Sequence, residues 1–301
     1  MVDSIETFEE VFYHITMDCN LRCSHCYVGK HLHKNQHIDT NQIINDLSSF
    51  RENGTNKIVL LGGEPTIHPE FMKILTNALE IGFVQVVVDT NGQIGFPIPE
   101  KYINTIKIRF SFEGHNSSTN DQIRGEGAFN KSLKNLKIFN KQNVNCEITC
   151  TINRYNFNEL SKFIEFFTDV GIKNFNFHFL SLTGAAQNNQ HLLLRPEEVL
   201  EVQEHLQSLN EKKMILIRYP KLIVHEDDIQ SEIIHGLQCL IGSHKRLLVF
   251  PNGLNIYCPL ELSNTFTSLN EKSGISVCPY EELLFPNGLP PKYKMTCISW
   301  K

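Results

Sequence analysis

No apolar run in the 301 residues approaches the roughly 18 that a membrane-spanning helix needs. The opening residues also lack the basic, apolar and small-residue order of an export signal. Positive charge is in short supply: 28 lysines and arginines against 33 aspartates and glutamates leave a net charge of −5. Such a surface offers no electrostatic footprint for a nucleic-acid backbone or an anionic membrane. Neither is an expected partner, and the expected compartment is the cytoplasm. Internal repeats, low-complexity tracts and long linkers are missing as well. Thiols stay reduced in that compartment, so the nine cysteines point to metal ligation, catalysis or core packing rather than to a disulfide framework.

What is present is a regular alternation. Short β-branched runs at 11–16, 57–61, 83–90, 105–112, 145–153 and 174–180 read as strands. Between them lie amphipathic stretches such as "DTNQIINDLSSF", with Asp39 as N-cap, and "FNKSLKNLKIFNK". Six strands separated by helices imply right-handed βαβ units and a parallel sheet, either open or curled into a partial barrel. In both, ligands gather at the C-terminal ends of the strands. After about Arg195 the order breaks. "RPEEVLEVQEHLQSLNEKK" predicts one more helix and "MILIRY" a further strand, and from about His235 the chain turns loop-rich. There "RLLVFPNGLNIYC" sets two short β runs about an Asn252-Gly253 hairpin turn. The expected domains are a core over 1–220 and a small module over 235–301 packed against it.

The densest chemistry follows the first strand. "ITMDCNLRCSHCYVGK" places Cys19, Cys23 and Cys26 in a C-x3-C-x2-C loop at the sheet's C-terminal edge. A structural zinc site asks for four protein ligands, for which His25 and His31 are nearby candidates. A [4Fe–4S] cube held by three thiolates instead keeps one iron open for an exogenous ligand. The triplet alone leaves both open.

Three further motifs follow in order at the ends of the next three strands: "LLGGEPTIHPEF", "DTNG" and "RFSFEGHNSSTNDQIRGEGAFNKSLKNL". With them, the stretch from Val11 to Leu182 resembles the radical S-adenosylmethionine (SAM) superfamily. The resemblance implies an α/β fold, a partial (β/α)6 TIM-like barrel. It also implies a [4Fe–4S] cluster on Cys19, Cys23 and Cys26 whose open iron is chelated by SAM. Electron transfer from the cluster then cleaves SAM to a 5′-deoxyadenosyl radical, which abstracts a substrate hydrogen. Gly62, Gly63 and Glu64 match the family's Gly-Gly-Glu motif, which receives the SAM amino group, and Asn91 falls in its Thr-Asn-Gly. Ser111 and Glu113 would lie near the ribose. Arg124 would pair with the SAM carboxylate, which a guanidinium fork suits better than an ammonium does. His25 departs from the aromatic residue usual before the third cysteine and would face adenine. An electron donor such as flavodoxin or ferredoxin is implied.

In the last quarter, Cys239, Cys258, Cys278 and Cys297 resemble the SPASM/twitch extensions of this superfamily. Four cysteines are too few for a full SPASM domain, so the twitch form with one auxiliary [4Fe–4S] cluster is expected. A zinc site with the same four ligands is the alternative, and Cys297 could stand outside the ligand set. Cys146 and Cys150, four apart on the fifth strand, share one face. Burial in the core is the ordinary use of such cysteines; if the face lines the barrel interior, either could donate a hydrogen atom to a substrate radical. His14, His115 and His178 read as structural, and Phe285 and Trp300 as packing in the terminal module. SPASM/twitch relatives mostly act on peptides. The leading expectation is therefore modification of a ribosomally synthesised peptide by oxidation, cross-linking or epimerisation. Only ten residues precede the first strand, which points to a separate leader-peptide-binding protein. The rival is an oxidoreductase or epimerase for a sugar, aminocyclitol or nucleoside.

Overall fold

The computed structural model describes residues 8–212, 215–228, 245–262 and 281–298. Strands β1 (Glu10–Thr16), β2 (Lys57–Gly62), β3 (Gln85–Thr90), β4 (Ile106–Ser111), β5 (Asn145–Ile152) and β6 (Asn174–Phe179) pair in parallel with their sequence neighbours. They match the six expected runs. β7 (Leu216–Arg218) extends the row beyond β6. Helices cross between the strands: α1 (Thr40–Glu52), α2 (Phe71–Glu80), α3 (Ser117–Arg124), α4 (Ala128–Lys141), α5 (Leu160–Asp169) and α6 (Pro196–Lys212). Asp39 starts α1 as its cap, accepting from the amides of Asn41 and Gln42 at 2.9 and 3.1 Å. This strand order, each strand beside its successor with helices between, is that of a partial TIM-like barrel.

β9 (Arg246–Val249) and β10 (Asn255–Ile256) form the expected antiparallel hairpin about Gly253, whose φ of +79° glycine adopts freely. Its attachment was not legible in the sequence. β9 pairs in parallel with β1, Glu10 opposite Arg246 and Tyr13 opposite Val249, so the hairpin continues the barrel sheet past its first strand. β8 (Lys221–His225) and β11 (Tyr293–Ile298) make a separate antiparallel pair.

The two faces of the parallel sheet differ sharply. Val11, Tyr13, Ile58, Leu60, Val86 and Val88 point outward into the core formed with Ile43, Leu47, Ile74 and Phe167 of the helices. Side chains alternate along β5, so Cys146 and Cys150 share that outward face with Ile148 and Ile152 and are 6% and 1% exposed. The packing supports their reading as core residues. Burial pushes the Cys146 thiol up to about 12, which keeps its S–H intact, and Cys150 accepts from the Asn156 side-chain amide at 3.5 Å.

The opposite, inner face is mixed: Phe12, Val59, Leu61 and Val87 form an apolar cluster on β1–β3, and charged side chains occupy much of the rest. Glu147 of β5 receives Lys107 at 2.6 Å and Arg218 at 3.1 Å, with Arg109 at 3.5 Å and the Asn176 amide at 3.1 Å. Arg109 also reaches Asp89 at 3.1 Å, and Glu10 holds Lys57 at 2.8 Å and Arg246 at 2.6 Å. Burial alone would raise the Glu147 carboxyl, but Arg109, Lys107 and Arg218 outweigh it and hold the group at about 2, down from 4.5. A carboxyl depressed in the folded state adds stability that is complete above its ordinary value and lost as pH falls through its folded value. Glu147→Gln is expected to lose about 3–5 kcal/mol of stability near neutral pH. Its deficit relative to wild type should close as pH falls from about 4.5 toward about 2, as read by denaturant titrations at a series of pH values.

Candidate functional site

The cysteine loop is tied to the sheet by close backbone approach. Gly63 N donates to Thr16 O and Glu64 N to Asp18 O, both at 2.8 Å. A Cβ on Gly62 would lie 2.3 Å from Thr16 O, and one on Gly63 would lie 2.3 Å from Asp18 O and 2.9 Å from the Cys19 Cβ. No side chain fits at either position, so both glycines are required by the approach itself. Inside the loop, Asp18 accepts from the Cys19 amide at 2.8 Å and the Asn35 amide at 3.1 Å. Cys26 N bonds Cys23 O at 3.2 Å. A second segment, unmarked in the sequence, supports the loop from outside. Ala185 N donates to Cys26 O at 2.9 Å and the Asn189 side-chain amide to Ser24 O at 3.0 Å. Gly184, at φ +55°, would bring a Cβ within 2.2 Å of Tyr27 O.

The three thiols are half-buried and unoxidised. Burial pushes Cys19 up to about 11, Cys26 to about 12, and Cys23 upward as well. At neutral pH they are protonated unless a cation displaces the protons, as iron does. Among the described residues no three histidine, cysteine, aspartate or glutamate side chains converge on a single ion. His25 is committed elsewhere, its Nε2 lying 3.0 Å from Glu113. A cube takes each thiolate on a separate iron.

Glu64, almost fully buried, accepts from the Thr66 amide at 3.2 Å, the Thr66 hydroxyl at 2.5 Å, the Thr90 hydroxyl at 2.8 Å and the Asn91 amide at 2.7 Å. These bonds clamp the end of β2 to the end of β3. The Asn91 side chain then donates to Asn20 at 2.7 Å, carrying the clamp into the cysteine loop.

Glu113, past the end of β4, gathers the remaining residues. Its Oε1 lies 2.7 Å from Arg124 Nη2, and its Oε2 accepts from the Thr151 amide at 2.8 Å. Burial would raise this carboxyl, yet His25 and Arg124 hold it below the usual range. Arg124 Nε, His25 Nδ1 and the Ser24 hydroxyl are buried with no hydrogen-bond partner in the protein. Buried polar atoms are rarely left so, and these three sit beside the cysteine loop as the contacts of a polar ligand would. Ser111 is half-buried on the inner face at the end of β4, opposite Thr149.

The hairpin packs directly on this site. Phe250 stacks on His14 with centroids 4.1 Å apart, and Leu248 and Ile256 join Met17 and Val28 of the loop region. Tyr27 of the loop reaches His14 Nε2 at 3.1 Å, which fits the structural reading of that histidine. Cys258, directly beyond β10, is 8% exposed. Cys239 and Cys278 lie outside the described residues, and of Cys297 only its place in β11 is described.

A family profile described as the radical SAM superfamily matches residues 13–167. The chain belongs to that superfamily. A sequence relative, the Fe-coproporphyrin III synthase of Methanosarcina barkeri, is 27% identical over 232 residues, covering 74% of this chain and 54% of that protein. The antilisterial bacteriocin subtilosin biosynthesis protein AlbA of Bacillus subtilis is 23% identical, covering 64% of this chain and 45% of AlbA. The chain spans about half the length of these relatives. Among solved structures, Streptococcus suis SuiB bound to its precursor peptide SuiA superimposes with a TM-score of 0.68 at 16% identity, covering 94% of this chain and 67% of SuiB. That likeness confirms the fold.

The cofactors of the radical SAM superfamily fit the donor set: three thiols for a cluster, two glycines that admit close approach, and unpartnered buried donors on Arg124 and His25 for SAM. Gly63→Ala should push the Asp18–Cys19 backbone off the strand. The protein should then keep its far-ultraviolet circular dichroism but bind less iron after anaerobic reconstitution. Arg124→Ala should keep the iron and bind SAM about tenfold more weakly or worse, by equilibrium dialysis.

Proposed function

We propose that this chain is a radical SAM enzyme that modifies a ribosomally synthesised peptide. The observation that carries the reading is the cysteine loop docked on Gly62 and Gly63 with Arg124, His25 and Glu113 beside it, at the C-terminal ends of the parallel strands. The peptide class is supported by the similarity to AlbA and to the sporulation killing factor maturation protein SkfB of Bacillus subtilis, and by the shared fold with SuiB. The small-molecule alternative is favoured by similarity to the Fe-coproporphyrin III synthase and to a probable GTP 3′,8-cyclase of Saccharolobus solfataricus.

In this reading the thiolates of Cys19, Cys23 and Cys26 hold the cluster, and Arg124 pairs with the SAM carboxylate. Gly63 and Glu64 receive the amino group, His25 lies against adenine, and Ser111 and Asn91 line the nucleoside side. Cluster and SAM together supply a 5′-deoxyadenosyl radical for hydrogen abstraction. Glu113 keeps the Arg124 and His25 side chains oriented and, as a buried anion, balances the guanidinium. Cys239, Cys258, Cys278 and Cys297 hold an auxiliary [4Fe–4S] cluster in the module over 235–301, the core being 1–220. A flavodoxin or ferredoxin donates the electron, a leader-binding protein presents the peptide, and the enzyme works in the cytoplasm. No helix among the described residues is long and apolar enough to cross a membrane.

Reconstituted protein given SAM and dithionite should release 5′-deoxyadenosine, and Cys23→Ala should fall to background. Product from the variant with all three loop cysteines changed to alanine would refute the reading. Iron analysis tests the auxiliary site separately. Wild type should hold about eight irons and the triple variant about four, whereas zinc in place of iron in that variant would exclude a second cluster. Mass analysis of a candidate precursor peptide, after turnover in deuterated buffer, separates the outcomes. Loss of hydrogens marks oxidation or cross-linking, and gain of solvent deuterium marks epimerisation.

A further inference from the structure

The inner face of the barrel carries an excess of positive charge that the site above does not use. Among the described residues, Lys57, Lys107, Arg109, Arg218 and Arg246 face only three carboxylates, Glu10, Asp89 and Glu147, leaving two positive charges over. The pair of Lys245 and Glu9 at the rim is neutral in sum. The central Glu147 is 1% exposed at its side chain, and Arg109, Glu10 and Asp89 are 13%, 15% and 23% exposed. Arg246 and Arg218, at 26% and 33%, are the more accessible of these groups.

Some inner-face groups also lack partners. The Thr149 hydroxyl is buried without a hydrogen bond, as is the acceptor Asp89 Oδ1, whereas Arg109 Nε lies 3.5 Å from Glu147 Oε2. His178 lies on β6 on the same face and is exposed. Arg246, at the start of β9, lies over the Phe12 ring at 4.6 Å while it pairs with Glu10. At the strands' N-terminal rim a cleft of about 230 Å³ is lined by Glu9, Glu10, Lys57 and Lys245. The acids at the other end are accounted for: Glu113 is held by Arg124 and His25, and Glu64 by neutral donors.

Uncompensated charge in a sheltered space is unfavourable until a counter-charge enters, and guanidinium groups match the planar oxygens of carboxylates and phosphates. We propose that the barrel interior binds an anionic group of the substrate, a carboxylate or a phosphate, between Arg109, Arg218 and Arg246, with His178 on the same face as a further hydrogen-bonding partner. The proposal rests on the reading above only in taking the barrel interior as substrate space. It holds for an acidic peptide side chain and for a small acid alike, and its test needs no turnover.

Calorimetry on reconstituted protein saturated with SAM, which fills the Arg124 site, should detect glutarate or pyrophosphate but not neutral glutaramide. The tighter of the two anions identifies the chemical source. Arg218→Gln, at a partly exposed position, should weaken that binding about tenfold or more, and Glu147→Gln, which removes a competing carboxylate, should tighten it. Failure of both anions to bind wild type overturns the proposal, as does unchanged affinity in both Arg218→Gln and Arg246→Gln. Weaker binding by a folded Glu147→Gln protein overturns it too. Because 5′-deoxyadenosine formation is scored separately, loss of anion binding with retained SAM cleavage refutes this inference and leaves the enzymatic reading standing.

Discussion

The close approach of two backbones, at Gly62–Gly63 and at Thr16–Asp18, is the constraint from which the site follows. Two hydrogen bonds of 2.8 Å lock the end of β2 against the start of the cysteine loop, and neither tolerates a Cβ in between. Through Glu64 the same junction grips Thr90 and Asn91 at the end of β3, and through Asn91 it returns to Asn20. The loop is thus held from two strands before any cofactor arrives. Such preorganisation keeps the donor atoms near their working positions, so little ordering remains for the ligand to drive.

The sheet assigns separate tasks to its two faces by alternation alone. Outward positions bury apolar side chains and cysteines against helices, and that burial stabilises the scaffold. Inward positions carry arginine, lysine and carboxylates in mutual contact, a costly arrangement for stability that makes sense where a polar molecule must be received. A single residue step along β5 separates Cys146 from Glu147, and with it core from interior.

Much of this was legible in the sequence because local signals carried it. The strand runs, the Asp39 cap, the Asn-Gly hairpin and the order of Cys19, Gly62, Asn91 and Glu113 at successive strand ends all depend on short-range chemistry. The remainder depends on distance. That β9 lies beside β1 is a pairing across 236 positions with no local marker. Asn189 and Gly184, which prop the loop, look like ordinary turn residues until the chain brings them beneath it. The face on which Cys146 falls could not be read from a spacing of four, which says only that it matches Cys150. The inner charges were legible as residues but not as a set, since Lys107, Glu147 and Arg218 come from three different strands.

The placement of β9 also bears on how freely this architecture can be taken apart. Beside β1 it occupies a row of backbone donors and acceptors that would otherwise be an open sheet edge, a template for pairing with other chains. The strand so shielded is the one that leads into the cysteine loop, and Phe250 caps the same spot through His14. A catalytic core excised where the family profile stops would therefore be a sticky fragment rather than a minimal enzyme. The hairpin thus shields the edge of the strand that carries the cysteine loop as well as packing on the loop itself.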